Sequence, residues 1–175
     1  MKISEDPLAK FDVPDLSDFP EIRADCSISR SLRVFGDSWS LLIIRESFLG
    51  ACRFEEFHAN LGIARNILTS RLKRLEEFGV LEKRPLRKGM KWSEYKLTKQ
   101  GADLLPVVCA LLQWGDRWLQ DKGPPLLIVD RDHQKPIDDI QVTSGGKPLG
   151  IRDVSYAPGR RSPKRRSSQK KKTLR

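Results

Sequence analysis

Between residues 26 and 119 the apolar positions fall five times into the spacing of a helix face, interrupted once by alternation. Ile28, Leu32 and Phe35 form the first stripe, and Gly36-Asp37 closes it. Asp37 or Ser38 is expected to cap the next helix, because a short oxygen side chain accepts from the first free amides. Trp39 to Leu49 is mostly apolar, which predicts a helix buried on most sides and ended by Gly50. A third helix opens at Arg53 and Phe54 and aligns Phe54, Phe57 and Leu61, with Gly62 as the turn. The fourth, from Ala64, is expected to bury Ile67, Leu68, Leu72, Leu75 and Phe78 and to stop at Gly79. Arg71 lies beside Leu72 and Leu75 and is expected to pair with an acid such as Glu46, holding helices together.

Val80 to Arg84 then reads as a strand, Pro85 to Lys91 as a turn, and Trp92 to Leu97 as the returning strand. Thr98 to Gly101 caps a final helix from about Lys99 to Leu119, in which Pro106 is expected to produce a kink. That helix presents Leu104, Leu105, Val108, Leu111, Trp114 and Trp118 among others. This is more apolar surface than one small core absorbs, so a second subunit is expected to cover the rest. Leu126–Val129 and Ile140–Val142 look β-like, and Ser144 to Pro148 is rich in turn residues.

The pattern therefore predicts a mostly α (α+β) fold: a winged helix-turn-helix with a long C-terminal dimerisation helix and a small β appendage. The expected divisions are an acidic flexible arm over 1–22, the winged-helix domain over 23–122, a β-like extension over 123–158 and a disordered basic tail over 159–175.

The net charge of +10 changes the picture only after it is located. Nine of the 33 basic residues lie in 160–175 without an acid, leaving 24 basic against 23 acidic residues elsewhere. Residues 62–96 nonetheless carry ten basic residues and four acids, whereas 1–21 carry six acids and two lysines. A basic patch on a near-neutral body points to nucleic acid more strongly than overall charge does. No apolar run approaches the ~18 residues of a membrane span. The N-terminus lacks the basic-then-apolar order of a secretion signal, so a cytoplasmic protein is expected. Cys26, Cys52 and Cys109 are odd in number and widely spaced, which argues against a disulfide framework or zinc ribbon.

On the fourth helix Arg65, Asn66, Thr69, Ser70 and Lys73 lie off the apolar face. Asn reads adenine, Arg and Lys read guanine, and Ser and Thr contact bases or phosphate, so these five are candidate DNA contacts. The alternative is an ordinary solvated face. Arg87, Lys88 and Lys91 on the turn are candidates for phosphate or minor-groove contact, and Arg53 for phosphate. Asp130-x-Asp132-His133 lacks the glycine and distal glutamate of a calcium loop. No metal, cofactor or catalytic constellation is expected.

Cys26-Ser27-Ile28, Gly36 to Glu46, Arg53 to Phe57, Asn66 to Leu72, Glu94 to Thr98 and Trp114-Gly115-Asp116 together resemble the HxlR-type transcription regulators, a branch related to the MarR winged-helix proteins. The resemblance covers about residues 24–120. It implies a homodimer on pseudo-palindromic operator DNA, joined through its terminal helices. The expected function is sequence-specific transcriptional regulation, by repression rather than activation. Some members sense an oxidant, quinone or aldehyde through a cysteine at the place of Cys26, which makes Cys26 a candidate redox sensor. A helix N-terminus favours the thiolate, in line with that role. The other reading of Cys26 is a small buried core residue. Longer members carry a C-terminal extension with paired cysteines; residues 126–158 look similar, including Arg152-Asp153-Val154, but lack those cysteines. Two other functions stay open: a non-specific DNA-organising protein driven by the tail, and a module that holds protein partners.

Overall fold

The structure, a computed structural model, describes residues 26–85 and 93–155. The N-terminal arm, the wing-tip residues Arg87, Lys88 and Lys91, and the basic tail lie outside the described residues. Two compact units are present, Asp25–Pro148 and one whose described part is residues 149–155. In the smaller unit, Ile151–Asp153 forms a 3₁₀ turn, and the Asp153 carboxylate accepts the Gly150 amide at 2.8 Å.

The larger unit begins with four helices: α1 (Ser27–Phe35), α2 (Ser40–Phe48), α3 (Phe54–Leu61) and α4 (Arg65–Glu77). Asp37 starts α2, its carboxylate accepting the amides of Trp39 and Ser40 at 2.9 and 3.0 Å and the Ser40 hydroxyl at 2.6 Å. At α3 the carboxylate of Glu56 reaches back to the amides of Cys52 and Arg53 at 2.8 and 2.9 Å, satisfying donors that the helix itself leaves open. Gly62 ends α3 with φ +60, a left-handed conformation that suits a residue without Cβ. The core gathers Ile43 and Ile44 of α2, Phe57 of α3, Leu68, Leu72 and Leu75 of α4, and Ile63 from the turn between α3 and α4. All seven are at most 1% exposed, so the two helices of the turn are fixed to α2 by packing on one side each.

Strands β1 (Leu81–Pro85) and β2 (Ser93–Leu97) pair antiparallel, Leu81 opposite Leu97 and Pro85 opposite Ser93. The free edge of β2 also engages the main chain before α3, the Tyr95 amide donating to the Cys52 carbonyl at 2.6 Å. Tyr95 meets Phe57 edge-on, with ring centroids 6.4 Å apart. Thr98 joins the hairpin to the next helix: its hydroxyl donates to Gly79 O at 2.6 Å and accepts the Gly101 amide at 3.1 Å.

The expected kinked final helix is instead two helices, α5 (Lys99–Ala102) and α6 (Leu105–Leu119). Pro106 stands in the first turn of α6, where its missing N–H has no intrahelical partner to lose and its fixed φ suits helix initiation. Phe78 is also corrected. It follows the last turn of α4, is 44% exposed, and is covered by the Arg74 guanidinium 5.9 Å from the ring centre rather than by the core.

Leu126–Val129 and Ile140–Val142 do not form the strands their composition suggested. Val129 makes an isolated bridge to Pro136, whose ring nitrogen has no proton with which to continue a ladder. The hairpin lies later, in β3 (Thr143–Ser144) and β4 (Lys147–Pro148), joined by Gly145-Gly146 with both φ values positive. Gln113 of α6 holds this part of the chain, its amide donating to Asp138 O at 3.0 Å and accepting from the Ile140 amide at 2.7 Å. Arg117 pairs with Asp139 at 2.8 Å.

Candidate nucleic-acid interface

The orientation of α4 is set from its inner flank by polar contacts as well as by its leucines. Arg71 Nε lies 3.0 Å from Asp37 Oδ1, tying α4 to the start of α2. This replaces the expected Arg71–Glu46 pair. Glu46 is buried and already engaged, by Arg45 at 2.7 and 3.1 Å and by the side-chain amide of Asn60 at 2.9 Å. A buried carboxylate needs such partners, and here they tie α2 to the end of α3. Arg74 donates to the carbonyl of Arg33 and so joins α4 to α1. Asp37 carries the combined result. Burial opposes its ionisation, but the Ser40 hydroxyl, the amides of Trp39 and Ser40, and the Arg71 charge outweigh burial and hold its carboxyl below the ordinary range.

The opposite flank of α4 brings together all five helix residues predicted from the sequence, and all five are exposed. Asn66 has no side-chain partner among the described residues. The hydroxyls of Thr69 and Ser70 donate to carbonyls of their own helix, Arg65 O at 2.8 Å and Ile67 O at 2.9 Å. Their oxygen lone pairs therefore face outward as acceptors. Lys73 lies 3.7 Å from Glu77, one turn along an exposed face. Arg53 is exposed where the chain enters α3.

Arg65 is not the free cation that its position suggested. Its two terminal nitrogens donate to the two oxygens of Glu55, each at 2.7 Å, while its guanidinium carbon lies 5.6 Å from the centre of the Phe54 ring. The hydrogen bonds from Arg65, reinforced by its charge, hold the Glu55 carboxyl below the ordinary range. Sequence reading missed Glu55. It stands ten residues before Arg65 across a turn, so no helical interval couples the two.

On the described part of the hairpin, Arg84 pairs with Glu82, Lys96 lies 3.0 Å from Glu94, and the Lys83 ammonium sits 5.6 Å over the Tyr95 ring. Cys26 directly precedes α1 and is partly exposed, so the buried alternative is not what is seen. The amides of Ser29 and Ile28 lower its pKa below the usual thiol value. Burial pushes Cys109 upward, and burial together with Glu56 and Glu94 does the same to Cys52. His133 contacts Asp130 at 2.8 Å, but no group of three or more potential metal ligands forms among the described residues.

Comparison with known proteins places this geometry in a family. The model of the HxlR-like helix-turn-helix family matches residues 34–123. MT3179, an uncharacterized HTH-type transcriptional regulator of Mycobacterium tuberculosis (strain CDC 1551 / Oshkosh), is 37% identical over 137 residues, spanning 76% of this chain and 85% of the relative. The uncharacterized HTH-type regulator sll1512 of Synechocystis sp. is 31% identical over 99 residues, 56% of this chain and 73% of its own. Among solved structures, PA1607, a candidate transcription factor, is 37% identical with a TM-score of 0.73, covering 80% of this chain and 99% of that one. PA1374 of Pseudomonas aeruginosa, also a candidate transcription factor, is 32% identical with a TM-score of 0.56 over 79% of this chain and 96% of its own.

Proposed function

This chain belongs to the HxlR-like helix-turn-helix family of DNA-binding transcriptional regulators, and from that premise we propose that it is a repressor that binds a pseudo-palindromic operator as a homodimer. The observation that carries the reading is the division of α4. Leu68, Leu72 and Leu75 are fully buried, while Arg65, Asn66, Thr69, Ser70 and Lys73 stand outward on a helix tied to α2 and α1 by Arg71 and Arg74. A recognition helix needs both faces: one to fix its angle and one to read the major groove. In this reading Asn66, Thr69 and Ser70 contact base edges, Arg53 and Lys73 grip phosphate, and the turn bearing Arg87, Lys88 and Lys91 reaches the flanking backbone or minor groove.

The second subunit is supported by α6, where Leu111, Trp114, Trp118 and Leu119 are each at least half exposed in the single chain. Ile28 and Leu32 of α1 are as well. Two-fold pairing through these faces matches two α4 helices to two half-sites about one helical turn apart or a multiple of it. The partly exposed Cys26, with its lowered pKa, is the residue through which a small electrophile or oxidant would act.

Single substitutions test the assignment on a duplex enriched from a random pool. Asn66→Ala is expected to weaken binding by about tenfold and relax preference at one base pair per half-site. Lys73→Ala is expected to weaken all duplexes alike. Equal loss on every sequence from Asn66→Ala would remove it from base recognition.

A further inference from the structure

We propose that Glu55 is a positioning residue for DNA recognition, holding the Arg65 guanidinium at the start of α4 so that its remaining donors face the groove. The proposal rests on the reading of α4 as the recognition helix. The clamp uses one hydrogen on each terminal nitrogen of Arg65, with both bonds at 2.7 Å. A guanidinium has five N–H donors. The Nε–H and one further hydrogen on each terminal nitrogen are left, and the Nε–H lies side by side with one of these as a second fork. That free edge has the spacing for guanine O6 and N7 or for two phosphate oxygens. Phe54 sits 5.6 Å from the guanidinium carbon and limits the plane from one side.

Clamp and ring together select one placement from the many an exposed arginine samples. Whenever the pair is formed, part of the rotamer freedom that Arg65 would lose on binding is already given up in the free protein, which favours the complex. Both side chains of the pair are more than half exposed, so the pair contributes little to holding the fold together. A carboxylate close to a DNA-binding helix also repels phosphate. Its presence there is accounted for if it improves the contact its partner makes.

The test compares the full chain with Glu55→Gln, Arg65→Ala and the double variant. Each is titrated against a duplex enriched from a random pool by the unsubstituted protein and against a scrambled duplex of equal length. Glu55→Gln is expected to weaken the enriched duplex by about two- to tenfold, the range for one immobilised side chain. It should leave the scrambled duplex unchanged or slightly tighter, because a negative charge is gone. In the Arg65→Ala background the same change should produce no loss on either duplex. Equal tightening of both duplexes by Glu55→Gln would show simple phosphate repulsion and overturn the proposal. An undiminished loss in the Arg65→Ala background would overturn it as well, by showing that Glu55 acts without Arg65. Failure of the unsubstituted protein to enrich any duplex would instead overturn the reading of α4, and the proposal with it.

Discussion

Replacing Gly101 by alanine should open the junction between the wing and α5, and the size of the effect follows from four atoms. A Cβ on Gly101 would stand 2.2 Å from the Val80 carbonyl oxygen, 3.2 Å from its carbon and 2.9 Å from Leu97 Cδ2. Ordinary contact needs about 3.5 Å. The Leu97 methyl can rotate away. The Val80 oxygen cannot retreat freely, because it accepts the Thr98 amide at 3.1 Å just before β1 begins. Overpacking of this kind costs about 1–3 kcal/mol, and loosening the Thr98 bond adds about 1 kcal/mol. Alanine's better helix propensity returns at most about 1 kcal/mol. The net loss is about 2 kcal/mol. With a urea dependence of about 2 kcal/mol per molar for a domain of this size, the unfolding midpoint should fall by about 1 M. Far-ultraviolet circular dichroism at one fixed protein concentration measures it. A midpoint equal to or above that of the parent would refute the steric argument.

Three further outcomes are expected. Leu111→Asp, at a half-exposed position of α6, should leave helix content intact but weaken self-association by about thirtyfold, read by sedimentation velocity across a dilution series. Alkylation of the native protein should label Cys26 first, with a pH inflection below that of an ordinary thiol, while Cys52 and Cys109 react only at higher pH or after unfolding; mass spectrometry of the labelled peptides decides this. Asp37→Asn should flatten the acid limb of the stability curve. The folded carboxyl binds its proton less tightly than the unfolded one, so its contribution is complete above about pH 5 and is lost as pH falls through the lowered folded value; chemical denaturation at stepped pH would show an unchanged acid limb if Asp37 were not involved.

The helices were legible where burial follows a simple interval. Leu68, Leu72 and Leu75 repeat at three and four residues, and all are fully buried on α4. Gly62 and Gly79 marked real left-handed turns, with φ +60 and +72. What interval and composition could not carry were choices made by neighbours distant in sequence. Arg71 was expected to meet an acid such as Glu46, but Glu46 is occupied by Arg45 and Asn60, and Arg71 pairs with Asp37 instead. Phe78 satisfies the helical period but sits past the end of the helix, where the period no longer determines direction. Pro106 signalled an interruption, which the structure shows as the first turn of a new helix rather than a bend. The five outward residues of α4 were legible as a set, while the Glu55 clamp on one of them was not.

On the proposed function, the outward face of α4 reads sequence in a two-fold arrangement. Selection of bound duplexes from a random pool with the full chain, followed by sequencing, tests it most directly. Enrichment of a pseudo-palindromic motif with half-sites about one helical turn apart or a multiple of it is expected. Salt-sensitive binding with no enriched motif would contradict it and leave a protein that engages DNA without reading it.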